Sequence, residues 1–592
     1  MSIQSEGDTK GDAVQPEGSL AEPALLPESA ATEPLGGPYP TKTLSGLEPS
    51  GPSMTPIPEQ PIVPPRIEPD EPGWGSTTQL DGGPNPLRDK SASPKDPGAP
   101  VEPDPQVEPV EPAKPATGDA EKGVMPGKRG DPFDPIAVNG PIFVGWPKPK
   151  LALVLTGRQE GYMEPCGCAG LDRMKGGMSR RHTMFQDLRK KGWPVVAVDV
   201  GGIAKGFGRQ AELKFQIMVE GMRKMGYDAI TLGKSDLRLP AMELLSVTAN
   251  TDANKSPFVS ANVVVFDPAM TAKAWVIEEG DMKIGVTGVL GKQSQKAINN
   301  PGLKLVDPET ALKQIVPKLK QKCNLLILLA HASMEETLDL ARKFPDFDLV
   351  VTAGGAPVPP NSWVDIKGSE SKLIEVGEKG MDAVVLGLYD DAKKPVRYQR
   401  VPLDSRFKNS SDMRLLMEQY QDQLKHLGFG GLGIRPVSHP QEETLGKFVG
   451  SDKCKSCHEE SYKVWKKSGH AKAYQTLEEV APPRNFDPEC VSCHVVGWHP
   501  TKFFPYEGGY QSKEKTPQLI NTGCETCHGP GGEHVKAETG GDTALQEKLR
   551  QAVVLTKEEA KKGQCVTCHD LDNSPDFKFD LYWPHVEHHE DE

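Results

Sequence analysis

Cys454-Lys-Ser-Cys457-His458 opens a series that decides how this chain is read. It recurs as Cys490-Val-Ser-Cys493-His494, Cys524-Glu-Thr-Cys527-His528 and Cys565-Val-Thr-Cys568-His569. C-x-x-C-H is the attachment sequence of c-type haem. Two thiols add across the two vinyl groups on one porphyrin edge, and the adjacent imidazole lies under the ring and ligates iron. Paired C-x-x-C motifs also make structural zinc sites. Zinc does not require a histidine directly after every second cysteine, and four such repeats do not arise by chance. The motifs predict four covalently attached haems c, bound through Cys454, Cys457, Cys490, Cys493, Cys524, Cys527, Cys565 and Cys568. His458, His494, His528 and His569 are the expected proximal iron ligands.

Each iron has a second axial position. The candidates are His470, His499, His534, His585, His588 and His589. His470 sits in Ser-Gly-His-Ala-Lys-Ala-Tyr, twelve residues past His458. His534 follows the turn Gly529-Pro-Gly-Gly, and His588 follows Tyr582-Trp583-Pro584. Open iron positions favour His470, His534 and His588 as ligands. Hydrophobic periodicity is weak in this part of the chain, as expected if porphyrins supply much of the apolar core. Trp465, Trp498, Phe503, Phe504, Tyr506 and Tyr510 are then expected against their faces and edges.

Working outward, the rest of the 592 residues has two other textures. More than half of the 56 prolines fall in residues 1–150, a stretch without cysteine or histidine. Its Glu-Pro, Asp-Pro and Gly-Pro punctuation, with no apolar periodicity, cannot bury enough surface to offset ordering entropy. It is expected to be a disordered, partly polyproline-II tether over residues 1–148. From Leu151 short apolar runs alternate with amphipathic stretches. Leu151-Ala-Leu-Val-Leu, Val195-Val-Ala-Val, Ala229-Ile-Thr-Leu, Leu325-Leu-Ile-Leu-Leu and Leu349-Val-Val read as buried strands. Asp307-Pro308 reads as a helix start, with Pro317 expected to kink that helix. Hairpins are expected over 372–403, from Leu373, Val384 and Val396. A helix is expected from Ser411 to Leu427, ending at Gly428. This alternation predicts an α/β sheet with outer helices over 149–427. A linker follows at 428–447, then a mainly helical and loop multihaem domain at 448–592.

Two resemblances become specific on these residues. Lys453-Cys-Lys-Ser-Cys-His, Trp465, Gly469-His-Ala-Lys-Ala, Gly508-Gly-Tyr and Gly523-Cys-Glu-Thr-Cys-His-Gly-Pro-Gly resemble, in order, the tetrahaem cytochrome c-554 family. The resemblance implies three bis-histidine haems with His470, His534 and His588 as distal ligands, and a five-coordinate haem on His494. It also implies redox partner proteins and a possible small ligand at that second haem. His499, five residues past His494, is not expected to close the site.

The middle region resembles the calcineurin-like metallophosphoesterases, and in particular the N-terminal domain of 5′-nucleotidases. This implies a four-layer α/β sandwich. Val198-Asp-Val-Gly-Gly202 stands where the family has Asp-x-Gly-Asp, and Thr231-Leu-Gly-Lys-Ser-Asp236 where it has Gly-Asn-His-Glu. Leu329-Ala-His331 matches its single histidine, and Val351-Thr-Ala-Gly-Gly-Ala-Pro-Val358 replaces Gly-Gly-His-x-His. Most metal ligands are therefore lost, and with them, by expectation, phosphoester hydrolysis, which needs two ions 3.5–4 Å apart by the general rule. Cys166-Gly-Cys168 at the first strand's edge is either a redox or soft-metal pair or two structural cysteines.

The chain carries 69 Lys and Arg against 82 Asp and Glu, a formal net charge of −13. This excludes a general nucleic-acid binder, and no apolar run is long enough to span a membrane. The first function expected is electron transfer through four haems beside a degenerate phosphoesterase-like domain. A redox enzyme acting on nitric oxide or hydroxylamine at the second haem is the alternative, and a hydrolase with an appended cytochrome is a third reading. Covalent haem attachment implies a periplasmic or other extracytoplasmic location. Met1-Ser-Ile-Gln-Ser-Glu-Gly-Asp has neither the basic region nor the apolar core of a signal peptide. An upstream start or a removed signal is expected.

Overall fold

The computed structural model describes residues 133–165, 171–249, 255–574 and 577–588. Most of the expected tether, the Cys166/Cys168 pair and His589 lie outside these residues. Residues 133–148 belong to the Pro-rich stretch, yet they pack. Trp146 stacks on Trp193 with ring centroids 6.0 Å apart, and Phe143 meets both edge-on. Three aromatic rings supply the burial that holds this segment.

Among the described residues thirteen strands form the middle region: β1 Leu151–Thr156, β2 Val195–Asp199, β3 Ala229–Ile230, β4 Val263–Val265, β5 Trp275–Glu279, β6 Met282–Leu290, β7 Leu303–Leu305, β8 Leu325–His331, β9 Leu349–Thr352, β10 Val364–Asp365, β11 Lys372–Glu375, β12 Asp382–Leu388 and β13 Val396–Pro402. Two sheets carry most of them, in the orders β13-β12-β1-β2-β3 and β10-β11-β9-β8-β6-β5. In the first, β1, β2 and β3 run parallel, and β12 and β13 add antiparallel at one side. In the second, β6, β8, β9 and β11 run parallel.

Period-two alternation along each strand sets the layers. Leu151, Leu153 and Leu155 of β1 join Ile284, Val286, Ile327 and Leu329 in a core between the sheets. Ala152 and Val154 face the other way, into helices Met178–Lys190, Arg209–Met225 and Ser411–Gly431. Leu326 and Leu328 of β8 likewise face helices Pro308–Lys320 and Met334–Lys343. The result is helix, sheet, sheet, helix.

Two local readings change. The Leu373 strand is no hairpin partner of the Val384 strand. β11 pairs in parallel with β9 in the second sheet, while β12 and β13 form their hairpin in the first. Two neighbouring apolar runs cannot reveal that the chain changes sheets between them. The Ser411 helix runs on to Gly431, but Gly428, at φ 58° and ψ 177°, breaks its geometry. Pro317 lies inside helix Pro308–Lys320, as the spacing predicts.

Residues 447–588 are built from short helices and turns. Among the described residues their apolar clusters are small: eight residues around Val491, Trp498 and Tyr510, and Ala537 and Leu549 against Leu445. That is too little to hold some 140 residues by burial alone.

Candidate haem centres and the phosphoesterase-like cleft

Each attachment motif lies on a short helix or helical turn: Ser451–Cys454, Pro488–His494, Cys524–His528 and Cys565–Thr567. Helical spacing puts the two thiols and the histidine on one side. The His458 and His569 amides donate to the carbonyls of Cys454 and Cys565, both at 2.9 Å, which closes the turn under the imidazole. Thiols of different motifs also meet. The side chains of Cys454 and Cys524 are within hydrogen-bond reach, and so are those of Cys493 and Cys568. Porphyrin edges attached there would lie side by side in two pairs.

Six of the histidines approach one another in three pairs, with planes inclined by 28°, 45° and 54°. His458 and His534 have ring centroids 6.2 Å apart with planes inclined by 28°. His470 and His569 are 6.1 Å apart, and His528 and His588 are 5.8 Å apart. A ligand nitrogen about 2 Å from a metal, with its ring centre about 1 Å further back, puts two trans imidazoles about 6 Å apart. These rings are too far apart to stack on one another and correctly spaced to share one iron.

Several outer nitrogens are occupied by the protein. His528 Nδ1 donates to the Val553 carbonyl at 2.8 Å, His588 Nδ1 to Val586 at 2.8 Å and, at the second motif, His494 Nδ1 to Ala473 at 2.5 Å. His569 Nδ1 is 3.0 Å from Ser574 Oγ. A bond to a carbonyl fixes the tautomer whose Nε2 carries no proton, the state a metal ligand needs. The spacing, the tautomers and the shortage of apolar core all fit haem c.

The other candidates have other surroundings. His499 lies on the short strand Trp498–His499 and packs against Phe504 and Tyr506. His585 ends the turn Trp583–His585.

Sequence reasoning passed over Glu525, inside the third motif. It is 4% exposed, and its carboxylate accepts the amides of Val449, Gly450 and Gly531. It thereby ties the entry to the first motif and the turn before His534 to the third. An acidic x in C-x-x-C-H carries no sequence signal for this.

In the middle region the parallel strands end at a cleft of about 220 Å³ lined by Arg158, Glu160, Gly202, Lys234, Ser235, Arg238, His331 and Ala353. Strand C-terminal edges are where such sheets build sites. Here the edge carries three cations. Arg158 pairs with Glu160 at 3.2 Å and Glu378 at 3.0 Å. Burial, with Arg158 and Lys234 adding to it, depresses His331 to about 4, although its Nδ1 donates to the Val200 carbonyl at 3.0 Å. Gly202 sits at φ 81°, and a Cβ there would lie 3.2 Å from His331 Cε1. A longer side chain at Gly202 would meet this crowding and backbone strain together.

The remaining carboxylates are committed to the backbone and to neighbouring side chains. Asp199 accepts from Thr156, Gln159 and the Gly201 amide. Asp236 accepts the amides of Gly202, Ala204 and Gly233, and burial pushes it up to about 6. These residues do not fit a two-metal centre.

Residues 453–529 match the family model described as cytochrome c554 and c-prime. Cytochrome c-554 of Nitrosomonas europaea is 33% identical over 153 residues, covering 22% of this chain and 60% of that protein. Human 5′-nucleotidase is 28% identical over 193 residues, 31% of this chain and 33% of that protein. Bovine 5′-nucleotidase is 28% identical over 224 residues, 36% of this chain and 37% of that protein. Among solved structures, a 5′-nucleotidase precursor from Thermus thermophilus aligns with a TM-score of 0.40 and 19% identity, covering 47% of this chain and 59% of that one. The chain spans less than two thirds of each of these relatives. Its C-terminal region is similar to cytochrome c-554, and its middle α/β region is similar in sequence to 5′-nucleotidases.

Proposed function

We propose that this chain is a multihaem c-type cytochrome that transfers electrons through four haems c attached within residues 448–592, beside a middle domain, 149–427, that no longer hydrolyses phosphoesters. Bound haem c supplies one-electron chemistry at iron. The observation that carries the reading is the trio of histidine couples at iron-sharing distance. Each joins an attachment motif to a distant segment of chain. His458 with His534, His528 with His588, and His569 with His470 would hold three of the haems, with the first-named of each beside its attachment motif, and His494 would serve the second motif. The proximity of Cys454 to Cys524 and of Cys493 to Cys568 supports two close haem pairs, a geometry for passing electrons through the domain.

Cations at the cleft, a crowded Gly202 and carboxylates locked onto amides support the loss of two-metal hydrolysis. Redox partner proteins and an extracytoplasmic location follow from covalent haem attachment. The four-haem count is tested by a pyridine haemochrome assay and intact mass. Four haems per chain is the expected result, and fewer than four refutes it. A second reading, reaction with a small nitrogen species at the haem on His494, draws support from the resemblance to the cytochrome c-554 family. Nitric oxide binding seen by EPR on one iron would favour it.

A further inference from the structure

The second attachment helix, Pro488–His494, begins against the α/β region. Asp487 is its N-cap and accepts the Glu489 amide at 3.1 Å. Both oxygens of that carboxylate also accept from side chains of the other region. Gln210 Nε2 donates to Oδ1 at 3.0 Å and Gln421 Nε2 to Oδ2 at 3.0 Å. One residue into the helix, Glu489 takes Lys214 Nζ at 2.6 Å. Gln210 and Lys214 lie one turn apart on helix Arg209–Met225, and Gln421 lies on helix Ser411–Gly431. Gln210 also reaches the Tyr420 hydroxyl at 3.0 Å. Just upstream, Arg484 Nη2 meets Glu164 at 2.7 Å, and Lys425 lies over the Phe486 ring at 5.7 Å.

Burial gives these contacts weight. Asp487 and Gln421 are each 5% exposed and the Lys214 side chain 11%. A buried charge is kept only where partners compensate its desolvation. Asp487 has two side-chain amide donors, the Glu489 amide and a nearby ammonium, and Lys214 has Glu489 and Asp487. Removing Lys214 takes the shared ammonium from two neighbouring carboxylates, whereas removing one glutamine leaves Asp487 its other donors. The other motifs are held differently. The third is tied through Glu525 and Ser451, both within the C-terminal region. The loop after the fourth meets the α/β region through Lys379 and Asp572, an ion pair with both side chains solvent-accessible.

We infer that Gln210, Lys214 and Gln421 are positioning residues for the haem on Cys490 and Cys493: helices inherited from a phosphoesterase-like fold clamp the start of that attachment helix and set its electrostatic surroundings. This rests on the reading that a haem is attached at the second motif. Lys214 is also within electrostatic reach of Cys490. Its ammonium disfavours the extra positive charge of ferric iron and so raises that haem's reduction potential. A hydrolase domain that has lost its metals thereby retains a task, and the task is mechanical and electrostatic rather than catalytic.

The test is a spectroelectrochemical titration of full-length holoprotein. The double variant Cys490→Ala/Cys493→Ala identifies which of the potentials belongs to the second motif, because that one disappears. Lys214→Met is expected to shift that potential to lower values and leave the others in place, and Lys214→Arg to restore it. Gln210→Ala, a milder change that removes one of two side-chain donors to Asp487, is expected to move the same potential by a smaller amount and serves if Lys214→Met is not recovered folded. Equal shifts in all potentials, or no shift in these variants with unchanged far-UV dichroism, overturns the clamp. A double cysteine variant with the haem content of the wild type overturns the reading beneath it, and this inference with it.

Discussion

Replacing one distal histidine at a time tests the axial assignments. The couples His458/His534, His470/His569 and His528/His588 have centroid separations of 6.2, 6.1 and 5.8 Å. On the proposed reading, an iron held between each pair would be six-coordinate and low-spin. Truncating His534, His470 or His588 to alanine would then remove a single axial nitrogen and leave the thioethers and the proximal imidazole. With the four haems proposed, each substitution should move about one quarter of the total iron from low-spin to high-spin. The assay is low-temperature EPR of the oxidised protein with integration of both populations. Imidazole added to the variant should reverse the change by refilling the vacated position. Assignment goes further: the low-spin signal lost in His534→Ala should be the one lost in Cys454→Ala/Cys457→Ala, and that lost in His588→Ala the one lost in Cys524→Ala/Cys527→Ala. An unchanged spectrum in His588→Ala together with a quarter-iron change in His585→Ala would refute the third pairing. A change in two signals from a single substitution would refute one-ligand-per-iron reasoning altogether.

Other expectations follow from the same geometry. Added Mn²⁺ or Zn²⁺ should produce no phosphomonoester hydrolysis, and metal-dependent turnover abolished by His331→Gln would contradict the account of the cleft. His331 is held to about 4 by burial, below its unfolded value of 6.5. The unfolded chain therefore binds more protons between these values, and stability should fall as pH drops from 6.5 to 4, by up to about 3 kcal/mol. Denaturant titrations of wild type and His331→Gln at several pH values check this, since the variant should lack that slope. Glu525→Ala strands three backbone amides and should cost about 3 kcal/mol or more, read as a lowered Tm of the holoprotein. Lys379→Ala cuts an ion pair that is partly exposed on both sides and should cost under about 1 kcal/mol in the same measurement.

The chemistry of the C-terminal region was legible because haem attachment is a local requirement. Two thiols and an imidazole must lie within one turn, so the pattern survives in five consecutive residues. Distal ligands were legible as candidates only, since any histidine qualifies and the pairing depends on how separate segments cross. Nothing in the sequence tells that His470 faces His569 rather than the nearer His458. The strands of the middle region showed in their apolar runs, but their division between two sheets did not, because β11 and β12 look alike and pair in different places. Residues 133–148 were hidden by composition: a Pro-rich average concealed Phe143 and Trp146, whose packing depends on Trp193 far along the chain. Asp487 and Glu525 were invisible for a related reason. An acidic residue beside a haem motif reads as solvated surface until its partners are seen.

The carboxylates of the middle region show how such a fold can stand without metals, as proposed here. A buried carboxylate freed from a cation must find other donors or become neutral. Asp236 has three backbone amides and is still pushed up to about 6, so desolvation outweighs even that cradle. Asp199 takes a threonine hydroxyl, a glutamine amide and one backbone amide. Both now brace the loops after β2 and β3, which a hydrolase would use to hold ions. The cationic groups Lys234, Arg158 and Arg238 line the cleft, where a divalent ion would meet repulsion, above all from Lys234 and Arg238, since Arg158 is paired. Restoring one ligand would not restore the site. A carboxylate at Gly202 would crowd His331 and strain the backbone, and an imidazole at Ser235 would sit among these cations. Regaining hydrolysis requires opening the loop, removing the cations and rebuilding the ligands together, so single substitutions toward the phosphoesterase pattern should lower stability without producing turnover.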